Sequence, residues 1–312
     1  MTCNVMAGEP IITHAVRMDA MGLSAGTIEY RCTGPAGGPV LVFVHGFLVD
    51  GTVWADVPDR LGELGFRCYV PTWPMGSHTL ALNPGADGTP AGVAEMVLEF
   101  VAHLGVPSVT LVGNDSGGAV CQLALGSDPA RIGTLVLTNC DAFEVFPPFP
   151  FDIVIRLVRR PRLARAVLAP LAWRTMRDSP VAFGWLAKRR LPGDLTAAWV
   201  RPYLSDAAIR ADVAGFAAGI RRRTLLDNLP ALTAYQRPVL ICWGADDRFF
   251  RPTLARRLSA TFPDVKLVEV AQARTFLALD QPGRLATEIA AFLAEAARPA
   301  EGVTPAGQRS GG

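Results

Sequence analysis

Asp115 lies within Leu111-Val112-Gly113-Asn114-Asp115-Ser116-Gly117-Gly118. β-forming residues from Ser108 to Val112 precede it. Ala119-Val120-Cys121-Gln122-Leu123-Ala124-Leu125 follows as a buried helical run. A strand that ends in Gly-x-nucleophile-x-Gly and turns sharply into a helix presents its central residue at the tip of the turn. The glycines allow the tight backbone and the close approach of neighbouring strands. A carboxylate there suits attack on an alkyl carbon, which expels a leaving group and leaves an ester. Attack on an acyl group would leave a strained anhydride. Two other readings stay open. Asp115 could simply cap the following helix. The motif could also be centred on Ser116, although Asn114 then stands where a glycine is needed.

The surrounding chain must position that residue. It has 312 residues, half of them hydrophobic and 19% charged, which suffices for one large domain with an insertion. A formal net charge of +2 gives no reason to expect a nucleic-acid partner. The six cysteines are scattered without C-x-x-C spacing, so reduced buried thiols are expected, and no metal or other cofactor. Residues 1–10 lack a basic start and an apolar run, and no 18-residue apolar stretch occurs, so a cytoplasmic protein without a spanning segment is expected.

Short antiparallel strands are expected at 13–18 and 27–32. Val40-Leu41-Val42-Phe43-Val44 reads as a strand buried on both faces. Helix over 52–64, strand over 67–70 and helix over 91–104 follow, then the turn at Asp115 and a strand over 135–139. Residues 141–230 are rich in Pro, Arg and aromatics, with helical periodicity. Alternation resumes with strands at 239–243 and 265–270 and helices at 252–261 and 282–297, the last with Asp280 as a cap. Such alternation implies an α/β fold with a mostly parallel sheet, helices on both faces and ligands at the strands' carboxyl ends. The domain reading is therefore a core of 1–140 and 231–298, a helical lid of 141–230 and a disordered tail of 299–312.

His45-Gly46-Phe47 after the third strand, the turn at Asp115 and Trp243-Gly244-Ala245-Asp246-Asp247 after a late strand occur in the order seen in α/β-hydrolases. The core resembles that fold, and the Asp turn resembles its branch of haloalkane dehalogenases and epoxide hydrolases. The resemblance implies that the backbone N–H groups of Phe47 and Ser116 stabilise developing negative charge. It implies that Asp247 is the supporting carboxylate and that His45 shapes the loop beside the substrate. The sequence alone does not separate Asp247 from its neighbour Asp246, and a helix-capping turn before Pro252 is the other reading of the pair. Dehalogenases of this branch usually carry Trp after the nucleophile; here Ser116 follows. Epoxide hydrolases often read His-Gly-Phe and use lid tyrosines as proton donors; Tyr203 is the single lid tyrosine.

The pattern breaks at the third member. Where the fold carries His in a His-Phe-Leu-x-x-Asp-x-Pro segment, this chain reads Thr275-Phe276-Leu277-Ala278-Leu279-Asp280-Gln281-Pro282. A threonine hydroxyl cannot serve as a base near neutral pH, and loss of a positioned base costs about 10²–10⁴ in rate. His78, after the fourth strand, is the candidate to supply a base from another direction. Trp173 and Trp185 in the lid, with Thr275 itself, are candidates to line the substrate pocket. The lid's arginine clusters (156–165, 188–190 and 221–223) read first as solvated helix faces, second as attraction for an anionic substrate, partner or membrane surface. The expected function is a hydrolase using Asp115 on a small apolar epoxide or alkyl substrate. A non-hydrolytic binding protein and a Ser116 esterase are the alternatives.

Overall fold

The computed structural model describes residues 18–298, so Cys3, residues 13–17 and the tail 299–312 lie outside the described part. Eight strands form one sheet in the order β1-β2-β4-β3-β5-β6-β7-β8. They are β1 (Met18–Leu23), β2 (Gly26–Thr33), β3 (Val40–Val44), β4 (Arg67–Pro71), β5 (Val109–Asp115), β6 (Ile132–Cys140), β7 (Val239–Gly244) and β8 (Val265–Val270). β1, β2 and β4 pair antiparallel, while β4, β3, β5, β6, β7 and β8 run parallel. The first described strand is Met18–Leu23; the strand expected over 13–18 lies outside the described residues apart from Met18. Gly22 pairs with Thr27 within this hairpin.

Helices α1 (Val57–Glu63), α2 (Pro90–His103) and α3 (Ser116–Ser127) connect the first parallel strands, with a 3₁₀ turn at Gly51–Trp54 ahead of α1. Leu41 to Val44, Leu111, Val112, Leu135 to Leu137 and Val239 to Trp243 are fully buried. Continuous apolar runs of this kind are what a strand covered on both faces requires. The final helix, Pro282–Ala296, begins after Gln281 rather than at an Asp280 cap. Asp280 instead accepts N–H bonds from Arg274 and Lys188, tying the segment before that helix to the lid.

Between β6 and β7 the chain is helical: α4 (Phe151–Val158), α5 (Pro161–Leu168), helices Gly193–Ser205 and Ala207–Gly219, and short turns between them. This insertion leaves the sheet at the carboxyl end of β6 and so lies over the strand ends, beside Asp115 at the end of β5. Helix Gly193–Ser205 is pinned to the core on both sides. The Trp199 indole N–H donates to Thr52 Oγ1 at 2.8 Å, and the Ser77 hydroxyl donates to the Trp199 carbonyl at 2.7 Å. The described cysteines (Cys32, Cys68, Cys121, Cys140, Cys242) are free thiols.

Candidate active site

Asp115 has φ 54° and ψ −131°, a backbone conformation rare for a residue with a side chain. Such strain persists only where the surroundings enforce it, and here two glycines do. A Cβ on Gly117 would fall 2.1 Å from the Val44 carbonyl oxygen, so only glycine lets α3 start this close to β3. A Cβ on Gly46 would fall 2.2 Å from Asp115 Oδ2, so the loop after β3 lies directly against the carboxylate. Asp115 does not cap α3 through its side chain in the usual way. Its carboxylate instead accepts the backbone N–H groups of Phe47 and Ser116.

Burial raises the Asp115 pKa, and the nearby Asp247 charge raises it further. The two amides pull it down, and the balance lies at about 7. The positive end of α3 acts in the same direction as the amides. Asp115 therefore changes charge in the neutral range, where an ordinary aspartate is already ionised.

Asp247 lies in the turn after β7 and is buried. Its Oδ1 accepts the N–H groups of Phe249 (2.8 Å) and Phe250 (3.1 Å). Its Oδ2 accepts Asn139 Nδ2 (2.7 Å) and the Thr275 hydroxyl (2.9 Å). Burial still lifts its pKa to about 6. The adjacent Asp246 is half-exposed and paired with Lys188 at 2.6 Å, which separates the two acids. Thr275 is fully buried and spends its hydroxyl on Asp247, while Asn114 Nδ2 donates to its carbonyl at 2.7 Å. It sits against Asp247 and does not line the cavity.

That cavity, of about 280 Å³, is floored by Asp115, Ser116 and Phe47 and walled largely by the insertion, including Ile155, Leu168, Met176 and Phe183. Among its lining residues only Asp115 and Ser116 carry polar side chains. No indole, amide or phenol donor faces Asp115 across it.

Several expected site residues lie elsewhere. The Tyr203 hydroxyl is buried and donates to the Ala164 carbonyl at 2.5 Å, so it fastens two lid helices and does not line the Asp115 cavity. His78 Nε2 pairs with Asp212 Oδ2 at 3.1 Å, and its Nδ1 accepts the Gly76 N–H. It holds the loop after β4 to helix Ala207–Gly219 and does not line the cavity. His45 is also spent: Nδ1 bonds the Gly46 carbonyl and Nε2 accepts the Trp73 N–H, both at 2.8 Å. Burial lowers its pKa to about 4, so it is a neutral brace of the loop rather than a substrate contact. Trp173 is 67% exposed and away from the cavity. Trp185 faces a separate outer cleft beneath Arg248.

Sequence reasoning missed two positions. Asn139, at the end of β6, bonds both Asp247 and Gly244. Asp141, directly after β6, is fully buried, and neither carboxyl oxygen has a hydrogen-bond partner. Burial and the neighbouring Asp115 charge hold its pKa well above the usual carboxylate range, against a lowering influence of the Ser116 hydroxyl. Asn139 lay inside the strand reading as its last residue, where a side chain reaches the strand ends; nothing local marks Asp141.

Comparison with known proteins agrees with this architecture. Residues 39–282 match the alpha/beta hydrolase fold family. Haloalkane dehalogenase 2 of Mycobacterium tuberculosis is 30% identical over 279 residues, covering 85% of this chain and 91% of that protein. The cis-3-alkyl-4-alkyloxetan-2-one decarboxylase of Xanthomonas campestris is 26% identical over 281 residues, covering 85% and 92%. Among solved structures, haloalkane dehalogenase DbeA from Bradyrhizobium elkani superposes with a TM-score of 0.74 at 18% identity, over 90% of this chain and 98% of that one. Strand order, inserted helices and sequence together make this chain a member of the alpha/beta hydrolase fold family, related to the haloalkane dehalogenases.

Proposed function

We infer that Asp115 acts as a nucleophile on an alkyl carbon of a small apolar electrophile, an epoxide or related alkyl compound. The observation that carries this reading is a lone carboxylate on the floor of an otherwise apolar cavity, one face held by two amides. One carboxylate oxygen attacks carbon, the carbon–leaving-group bond breaks, and an alkyl ester of Asp115 forms. The Phe47 and Ser116 N–H groups hold the oxygen that becomes the ester carbonyl. They also suit the oxyanion of any later attack on that ester, where each such donor is typically worth a few kcal/mol. Among the cavity-lining residues no indole, amide or phenol is placed to receive a halide or to protonate an epoxide oxygen, so the alkoxide of an opened epoxide takes its proton from solvent.

The test is intact mass spectrometry after incubation with terminal epoxides and bromoalkanes. The expected result is an adduct of the substrate's mass that maps to Asp115 and is lost in Asp115→Asn. No adduct and no diol or alcohol across both panels would overturn the reading. Ligand-induced thermal stabilisation that persists in Asp115→Ala, without product, would mark a binding protein instead.

A second reading follows from Thr275. Hydrolysis of the ester needs a base for water, and among the described residues no imidazole lines the cavity. A four-membered lactone would not need that step. Attack by Asp115 at the ring carbon bearing oxygen breaks the C–O bond and frees a carboxylate on the neighbouring carbon. Loss of CO₂ from that carboxylate forms the C=C bond and expels Asp115 unchanged. The name of the Xanthomonas relative makes β-lactones a reasonable third panel, with alkene and CO₂ as the products to measure.

A further inference from the structure

A second space adjoins the Asp115 cavity. A cleft of about 1310 Å³ shares the walls Pro147, Pro148, Ile155, Val181 and Ile220 with it. The cleft adds positive charge to an otherwise similar apolar lining. Six arginines line it: Arg156, Arg159, Arg221, Arg222, Arg248 and Arg251. Its two acids are already engaged, Glu144 by Arg257 at 2.6 Å and Asp152 by Arg156. Arg159 is turned onto the carbonyls of Ala217 and Ile220. Among the described residues no carboxylate lies within ion-pair distance of Arg221, Arg222, Arg248 or Arg251, and all four are exposed. Arg248 lies over the Trp185 ring, 4.5 Å from its centroid, which leaves the edge of its guanidinium open for hydrogen bonding. Phe149 (75% exposed) and Val181 (55% exposed) add apolar surface to the same mouth.

Six arginines against two acids, beside an apolar chamber, attract a molecule with the complementary division. We propose that this cleft is the headgroup site for a single-chain anionic amphiphile, its carboxylate or phosphate among Arg221, Arg222, Arg248 and Arg251 and its alkyl part in the Asp115 chamber. The proposal deepens the reading of that chamber as the substrate site and adds a substrate class: the electrophilic compound carries an anionic end.

Equilibrium binding tests the headgroup site without requiring any reaction at Asp115. Sodium decanoate, decyl phosphate and decanol are titrated calorimetrically into the full chain, at about 0.05 M and about 0.5 M NaCl. The expected result is roughly tenfold or tighter binding of an anionic probe over decanol at low salt, as charge-assisted hydrogen bonds to arginine would give. That preference should shrink at high salt and disappear in R221Q/R222Q/R248Q, whose exposed sites leave the fold intact. The two anionic arms distinguish carboxylate from phosphate. Equal binding of decanol, or a preference that survives the triple substitution, overturns the proposal. So does uptake by phosphatidylglycerol vesicles without binding of either soluble anion, because the cleft would then be a membrane contact. Acetate displacing decanoate at comparable concentration also overturns it, since the chamber would contribute nothing. Asp115→Asn is expected to keep the anion preference. An absent Asp115 adduct with this preference intact would sink the catalytic reading alone, whereas an adduct without the preference would sink the headgroup site alone.

Discussion

At the scale of single residues, the proposed site is a carboxylate with an amide cradle and, among the described residues that line it, no imidazole base. Two predictions belong here. Because the Asp115 pKa lies near 7, adduct formation should rise with pH to a midpoint near 7, rather than level off by pH 5 as an ordinary aspartate would allow. Stopped reactions followed by intact mass across pH 5–9 check this. Thr275→His would place an imidazole against Asp247 Oδ2, where the threonine hydroxyl now sits at 2.9 Å. Ester hydrolysis should then accelerate on the order of 10²-fold, read as decay of a preformed adduct. An unchanged decay rate in a folded variant would show that more than the base is missing. The turn at Asp115, the Phe47 and Ser116 positions and the Thr275 anomaly were legible because each is local: a few residues of fixed spacing carry them. The bond from Asn139 to Asp247 joins residues 108 apart in sequence, and the burial of Asp141 depends on how α3 meets β6. Neither has a local signature.

At the scale of elements, the turn works because α3 and the loop after β3 come closer than side chains permit. Gly46→Ala should abolish adduct formation, by about 10²-fold or more, with a modest cost in stability. Its methyl group would collide with Asp115 Oδ2 and turn the carboxylate out of its cradle. Loss of activity with a circular dichroism spectrum and Tm near those of the unmodified chain is the expected pattern. The parallel strands were readable from continuous apolar runs, since burial on both faces leaves no polar positions. The insertion was readable as helical, but periodicity does not say which face meets a cavity. That is why Tyr203 reads as a possible acid and proves to be a strut, and why Trp173 proves exposed.

At the scale of the whole molecule, three buried acids, Asp115, Asp141 and Asp247, have pKa values raised chiefly by burial. A raised carboxylate pKa means that the folded chain holds protons which the unfolded chain releases above about pH 4. The stability tied to those protons is therefore complete below about pH 4 and is lost as pH rises through the folded pKa values, near 6 and 7 for Asp247 and Asp115. Replacing such a group by its amide removes the loss. Asp115→Asn should be more stable than the unmodified chain by on the order of 4 kcal/mol at pH 8, with little difference at pH 4. Denaturant unfolding at the two pH values measures it. A constant offset would show that the effect is steric rather than electrostatic.

The chamber's floor is supplied by the sheet and its walls mainly by residues 147–186. Reactivity and selectivity are thus inherited from separate stretches of polypeptide. Exchanging the 145–222 segment for that of a relative would hand over a new molecular preference while the attacking group stays in register. A lineage built this way can explore substrates by rewriting its roof without renegotiating its chemistry.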